Sequence, residues 1–253
     1  MRWQDTGSGS MGKIISIPAS DRPCPIQDLQ LFTVVDYPGH VACTLFTAGC
    51  NLRCPYCHNA DLIAPDDLPR IDETHLLEFL KERKGLLTGV CITGGEPTLH
   101  ELAPLLELIK HLGYNIKLDT NGTRPKRWIP WVQGGLIDYV AMDVKVPLEK
   151  YGHMGATETD KEGVAQSAAF LLSNPDFSYE FRATIHPNWF SRDDVKRIGQ
   201  WLAGAKRLAL QPFTPSEKVL APDLCRGLGY SKKSLLEFKN ILQNTIYEVS
   251  VRG

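Results

Sequence analysis

From residue 41 onward, short apolar runs alternate with longer stretches whose apolar positions recur at helical spacing. Residues 41–47 (VACTLFT) are apolar and rich in β-formers, and residues 72–84 carry Leu76, Leu77 and Leu80 on one helical face. The unit repeats: strand 89–93 and helix 99–112, strand 115–119 and helix 125–133, strand 137–143 and a helix around 161–172, strand 179–185 and helix 192–202. A sixth unit has strand 206–211, a Pro/Gly-rich loop over 212–230 and helix 232–243. Residues 246–251 form a last strand whose pairing the pattern leaves undefined. Six β/α units predict an α/β fold with a parallel sheet and right-handed crossovers, which either opens as a doubly wound sheet or curls into a partial or full barrel. No low-complexity linker divides it.

The chemically unusual residues fall at the ends of these strands. CNLRCPYCHN (50–59) follows the first predicted strand, GGEP (94–97) the second, DTNG (119–122) ends the third, and MDVK (142–145) ends the fourth. Arg182 lies in the fifth, and QPFTP (211–215) ends the sixth. Parallel α/β folds bind ligands at the C-terminal ends of their strands, so these segments are expected to meet at one mouth.

Charge and composition exclude several classes of partner. With 28 basic and 29 acidic residues and a net charge of −1, the chain shows no excess favouring nucleic acid or an anionic membrane. It has neither a spanning apolar stretch nor an apolar signal core, which reads as cytoplasmic. Residues 1–12 are polar and Gly/Ser-rich ahead of a second methionine, Met11, and resemble a leader. The expected organisation is an N-terminal extension over 1–26 and one domain over 27–253.

Seven cysteines, three of them crowded into one loop, suit reduced metal-binding thiols better than a disulfide framework. Cys50, Cys54 and Cys57 follow C-x3-C-x2-C spacing. A zinc ion with His58 as fourth ligand would draw four ligands from nine consecutive residues, whereas structural zinc ligands usually come as two separated pairs. An iron-sulfur cluster spreads its irons over a larger cube that a wrapping loop suits, and three thiolates leave one iron open. Cys24, Cys43, Cys91 and Cys225 are too dispersed for a second cluster.

Cys50, Cys54 and Cys57, with Tyr56 before the last, resemble the signature of the radical S-adenosylmethionine (SAM) enzymes. GGEP is similar to that superfamily's motif for the methionyl amino group, and six β/α units resemble its partial (β/α)6 TIM-like barrel. DYPG (36–39), CPYCHN, KLDTNG and MDVK are similar to stretches of glycyl-radical-enzyme activating proteins: the activators of anaerobic ribonucleoside-triphosphate reductase, and pyruvate formate-lyase activases. The resemblance covers about residues 27–251.

It implies a [4Fe-4S] cluster on the three cysteines, with SAM chelating the open iron. An electron from a low-potential donor such as flavodoxin or ferredoxin would then cleave SAM to methionine and a 5'-deoxyadenosyl radical, which takes hydrogen from a glycine of a partner enzyme. Gly94 and Gly95 would let a bound methionyl group approach, with Glu96 holding the turn or orienting the ammonium. Asp119, Thr120 and Asp143 are placed where pyruvate formate-lyase activases hold a monovalent cation, though capping and turn chemistry explain such residues too. Lys145 would neutralise the SAM carboxylate and Arg182 offers a second cation; alternatively both form salt bridges with Asp143 or Glu180. Asn121 joins the SAM-contacting set, and His58 and Asn59 would support the cluster. Where the activases carry a ribose-contacting histidine, this chain has Thr214 after Gln211. Two rival readings are a small-molecule enzyme resembling 7-carboxy-7-deazaguanine synthase and a zinc-stabilised binding module.

Overall fold

The computed structural model describes residues 25–64, 70–227 and 229–252. The expected extension lies outside these residues except for its last two, and Cys24 lies outside them as well. Among the described residues, eight strands form one sheet in sequence order: β1 (Ile26–Thr33), β2 (Ala42–Thr47), β3 (Gly89–Gly94), β4 (Asn115–Thr120), β5 (Tyr139–Asp143), β6 (Tyr179–Ile185), β7 (Arg207–Pro212) and β8 (Glu248–Val251). Strands β2 to β8 are parallel, and β1 runs antiparallel to β2. β1 and β8 are not paired to each other, so the barrel is partial.

Six α-helices among the described residues cover the outside: α1 (Glu73–Glu82), α2 (Ala103–His111), α3 (Pro125–Gln133), α4 (Glu158–Ser173), α5 (Arg192–Trp201) and α6 (Lys232–Leu242). Local chemistry starts several of them where the sequence pattern does. Asp72 caps α1 through the amides of Thr74 and His75. Thr157 with Asp160, and Ser191 with Asp194, form reciprocal capping boxes at α4 and α5.

Two strand assignments add to the sequence reading. Of the predicted last strand over 246–251, Glu248–Val251 pair with β7 in parallel and complete the sheet. β1 was not expected: two register shifts interrupt its pairing with β2, and they break the alternation by which a strand is recognised.

Side chains on successive strand positions point to opposite faces. The outer face is apolar: Leu45, Ile92, Leu118, Val140, Phe181 and Leu208 join the main core beneath the helices. The inner face has small and charged residues. Register sets Cys91 beside Lys117, Asp119 beside Ala141, and Asp143 beside Arg182. Contacts between alternate strands, such as Arg182 on β6 with Asp119 on β4, show that the sheet curls around this inner column.

Candidate active site

The loop after β2 carries the three cysteines and is fixed from several sides. Gly95 and Glu96 donate their amides to the carbonyls of Thr47 (2.9 Å) and Gly49 (2.7 Å). A Cβ on Gly95 would lie 2.0 Å from the Gly49 carbonyl oxygen, and one on Gly94, at φ 115°, would lie 2.3 Å from the Thr47 nitrogen. The two glycines therefore let β3 press against the start of the cysteine loop. Asn59 Nδ2 donates to the Gly94 carbonyl at 3.0 Å, and Tyr56, buried between Cys54 and Cys57, donates its hydroxyl to the Lys145 carbonyl at 3.1 Å.

Further residues that sequence reasoning missed complete this framework. Asn51 Nδ2 donates to Thr123 Oγ1 (3.0 Å) and Asp160 Oδ1 (2.9 Å), linking the loop to the start of α4. Arg53 donates to the Cys50 carbonyl at 2.7 Å. From the loop after β7, the amides of Leu220 and Ala221 donate to the carbonyls of Cys57 (3.2 Å) and Pro55 (2.9 Å). That Pro/Gly-rich loop is thus docked on the cysteine loop.

One cavity of about 250 Å³ opens where these segments meet. Cys50, Cys54, Tyr56, Cys57, His58, Gly94, Gly95, Glu96, Asp119, Thr120, Asn121, Asp143, Lys145 and Arg182 all line it, so the structure brings together every site residue named from the sequence. Thr184 and Gln211 line it as well, whereas Thr214 is exposed. His58 stacks on Phe213 with ring centroids 5.4 Å apart. Among the described residues, no three His, Cys, Asp or Glu side chains gather around one point as a single metal ion requires. The three cysteines all line the cavity, where three thiolates can bind separate irons of a cluster.

Burial pushes the Cys50 thiol up to about 11 and the Cys54 thiol up to about 12. Ligation must therefore displace protons. Asn121 Nδ2 reaches within 4.0 Å of Cys50 Sγ. Glu96 is fully enclosed and accepts from Thr98 Oγ1 (2.5 Å), Thr98 N (3.1 Å), Thr120 Oγ1 (2.7 Å) and Asn121 N (2.6 Å), tying the ends of β3 and β4 together. Burial raises its pKa against these donors.

The cavity also holds a charge network. Asp119 accepts from Lys117 on one oxygen and from Arg182 on the other, at 2.9 Å for the arginine. Asp143 accepts from Arg182 Nε at 2.9 Å and Lys145 Nζ at 3.0 Å. Burial would raise both carboxyls, but Arg182 with Lys117 at Asp119, and Arg182 with Lys145 at Asp143, outweigh it and hold them below the usual range. Burial likewise opposes the charge on Lys145, and Asp143 together with Cys54 and Tyr56 outweighs it, raising the pKa. Glu180, the other expected partner, is bound by Arg252 instead.

Comparison with known proteins gives this arrangement a context. Residues 44–165 match the family model of the radical SAM superfamily. The matched segment is similar to the radical SAM domain, the catalytic domain of enzymes that use a [4Fe-4S] cluster and SAM. A Methanocaldococcus jannaschii protein assigned as a glycyl-radical enzyme activating enzyme is 29% identical over 192 residues, covering 73% of this chain and 78% of that one. The pyruvate formate-lyase-activating enzyme of Streptococcus mutans is 26% identical over 207 residues, covering 74% and 76%. A 7-carboxy-7-deazaguanine synthase of Synechocystis sp. is 35% identical over 77 residues, covering 30% and 36%. Among solved structures, Streptococcus suis SuiB bound to SAM superposes with a TM-score of 0.62 at 13% identity, over 81% of this chain and 48% of SuiB. The chain thus spans about half the length of SuiB, and the likeness is one of fold.

Proposed function

We propose that this protein is a glycyl-radical-enzyme activating enzyme, acting on a partner of the anaerobic ribonucleoside-triphosphate reductase kind. The observation that carries the reading is the meeting of three cysteines with the ion-paired cations Lys145 and Arg182 in one cavity. Cys50, Cys54 and Cys57 hold the cluster, which when bound supplies one electron to the SAM sulfonium so that methionine and a 5'-deoxyadenosyl radical form. Lys145 and Arg182 face the SAM carboxylate. Gly94, Gly95 and Asn121 shape the wall on which the methionyl group rests, and Glu96 keeps that wall rigid. Transfer of hydrogen from a glycine Cα of the partner to the radical needs no general base from this chain.

Two relatives bearing activating-enzyme names align along about three-quarters of the chain, whereas the deazaguanine synthase aligns over 30% of it. That breadth favours a protein substrate over a small molecule. The segment around Leu220 and Ala221, docked on the cysteine loop, is a surface for the partner to approach. The reading takes residues 27–253 as the catalytic unit, flavodoxin or ferredoxin as donor, and the cytoplasm as location. No helix among the described residues is long and apolar enough to cross a membrane.

Electron paramagnetic resonance tests the proposal after anaerobic mixing of reduced, cluster-loaded protein with SAM and a candidate reductase. A glycyl radical on the reductase is expected. SAM cleavage stimulated by a pterin, with no radical on any protein partner, would instead establish the small-molecule reading.

A further inference from the structure

The family resemblance leads to a bound monovalent cation at Asp119, Thr120 and Asp143, yet the donors expected to hold it are engaged. Both oxygens of Asp119 and both of Asp143 already face a side-chain cation. Thr120 Oγ1 donates to Glu96 and accepts from the Gly122 amide at 3.1 Å. The least expected member is Lys117, an inward residue of β4 whose side chain is 1% exposed, with its ammonium also 3.6 Å from Cys91 Sγ. Three cations, Lys117, Lys145 and Arg182, stand against two carboxylates, Asp119 and Asp143. Within this ion-paired group there is one surplus positive charge, which disfavours a further cation and favours an anion; Glu96, the cavity's other carboxyl, is held by the Thr98 and Thr120 hydroxyls and two amides instead of by these cations.

We propose that Lys117, together with Arg182, is a built-in substitute for the monovalent metal ion, so that this site assembles and receives the SAM carboxylate without sodium or potassium. The SAM part of this statement rests on the function proposed above; the exclusion of a metal ion does not. Lys117 is a positioning residue: its ammonium sets Asp119, Asp119 sets Arg182, and Arg182 faces the cavity.

Two measurements test it. The first is the thermal midpoint of the full chain in sodium, potassium and choline chloride at equal ionic strength. The wild-type midpoint is expected to be the same in all three. Lys117→Met should gain a midpoint rise in sodium or potassium, up to about 5 °C if the freed carboxylate binds the ion well, while Lys117→Arg stays indifferent. A wild-type rise of that size would overturn the proposal, as would a folded Lys117→Met chain that stays indifferent. The second is the affinity of cluster-loaded wild type for SAM in the same salts, expected to be unchanged. An increase of about tenfold in sodium or potassium would also overturn the proposal. Failure to bind SAM in every salt would sink the SAM reading alone, and the midpoints would still decide whether the site takes a metal ion.

Discussion

The two ends of the inner column are built from similar residues and reach opposite results. At the floor, Tyr37 of the DYPG turn packs with Ala42, Tyr139 and Ala141, and Asp36 accepts from Thr44 Oγ1 at 2.8 Å. The floor charges pair one to one: Glu180 with Arg252, Glu248 with Arg207, and Asp138 with Lys110. At the mouth, three cations share two carboxylates beside three thiols, while a third carboxyl, Glu96, is held by hydroxyl and amide donors without a cation. The floor hollow is the larger, about 570 Å³ against about 250 Å³, so volume alone would choose the wrong end. Unbalanced charge at the C-terminal strand ends is what marks the working end, because buried charge is costly and persists only where something compensates it.

This contrast can be broken or sharpened by substitution. The largest effect is expected from Cys54→Ala, which removes a thiol of the cavity wall; iron retention and SAM cleavage should fall to background with the fold preserved, as read by iron analysis and circular dichroism. Next is Lys145→Met, which removes the cation facing the SAM carboxylate. A charged hydrogen bond contributes about 1.5–3 kcal/mol, so SAM affinity measured by calorimetry should drop by about 10-fold to 100-fold.

At the floor, Arg252→Met should act on stability instead. It leaves the buried Glu180 carboxylate without its partner, but Arg252 is itself 43% exposed, so water recovers part of the loss. A cost of about 1–3 kcal/mol in denaturant unfolding is expected, with SAM affinity unchanged. Altered SAM affinity in this variant would erase the distinction between the two ends.

The smallest effect concerns acid. Asp119 and Asp143 are depressed below 3.8 in the fold, so the unfolded chain binds protons first as pH falls. The stability they contribute is present above the ordinary carboxylate pKa and is lost below it. Thermal midpoints should therefore decline as pH drops from about 5 to about 3, and a flat profile would show that the mouth network adds nothing.

Much of this was legible in the sequence because the motifs sit at strand ends. Cysteine spacing, paired glycines and the DTNG and MDVK segments each declare themselves locally, and β/α alternation brings them to one rim. What escaped depends on contacts made across the fold. β1 hid behind its register shifts, and Asn51 gains meaning only through Thr123 and Asp160, 72 and 109 residues away. Lys117 looked like an ordinary polar residue of a strand, yet a signal was present: KLD and EFRAT place polar residues at every second position of two central strands. A doubly wound sheet, buried on both faces, would have near-continuous apolar strands there. That alternation favours a curled sheet with a polar interior, the alternative that the count of six units left open.

The most direct test of the central claim is anaerobic reconstitution followed by titration with SAM. The account predicts a brown protein with about four irons per chain, whose reduced cluster signal in electron paramagnetic resonance changes when SAM is added. A colourless protein retaining one tightly bound zinc ion, with no response to SAM, would contradict it.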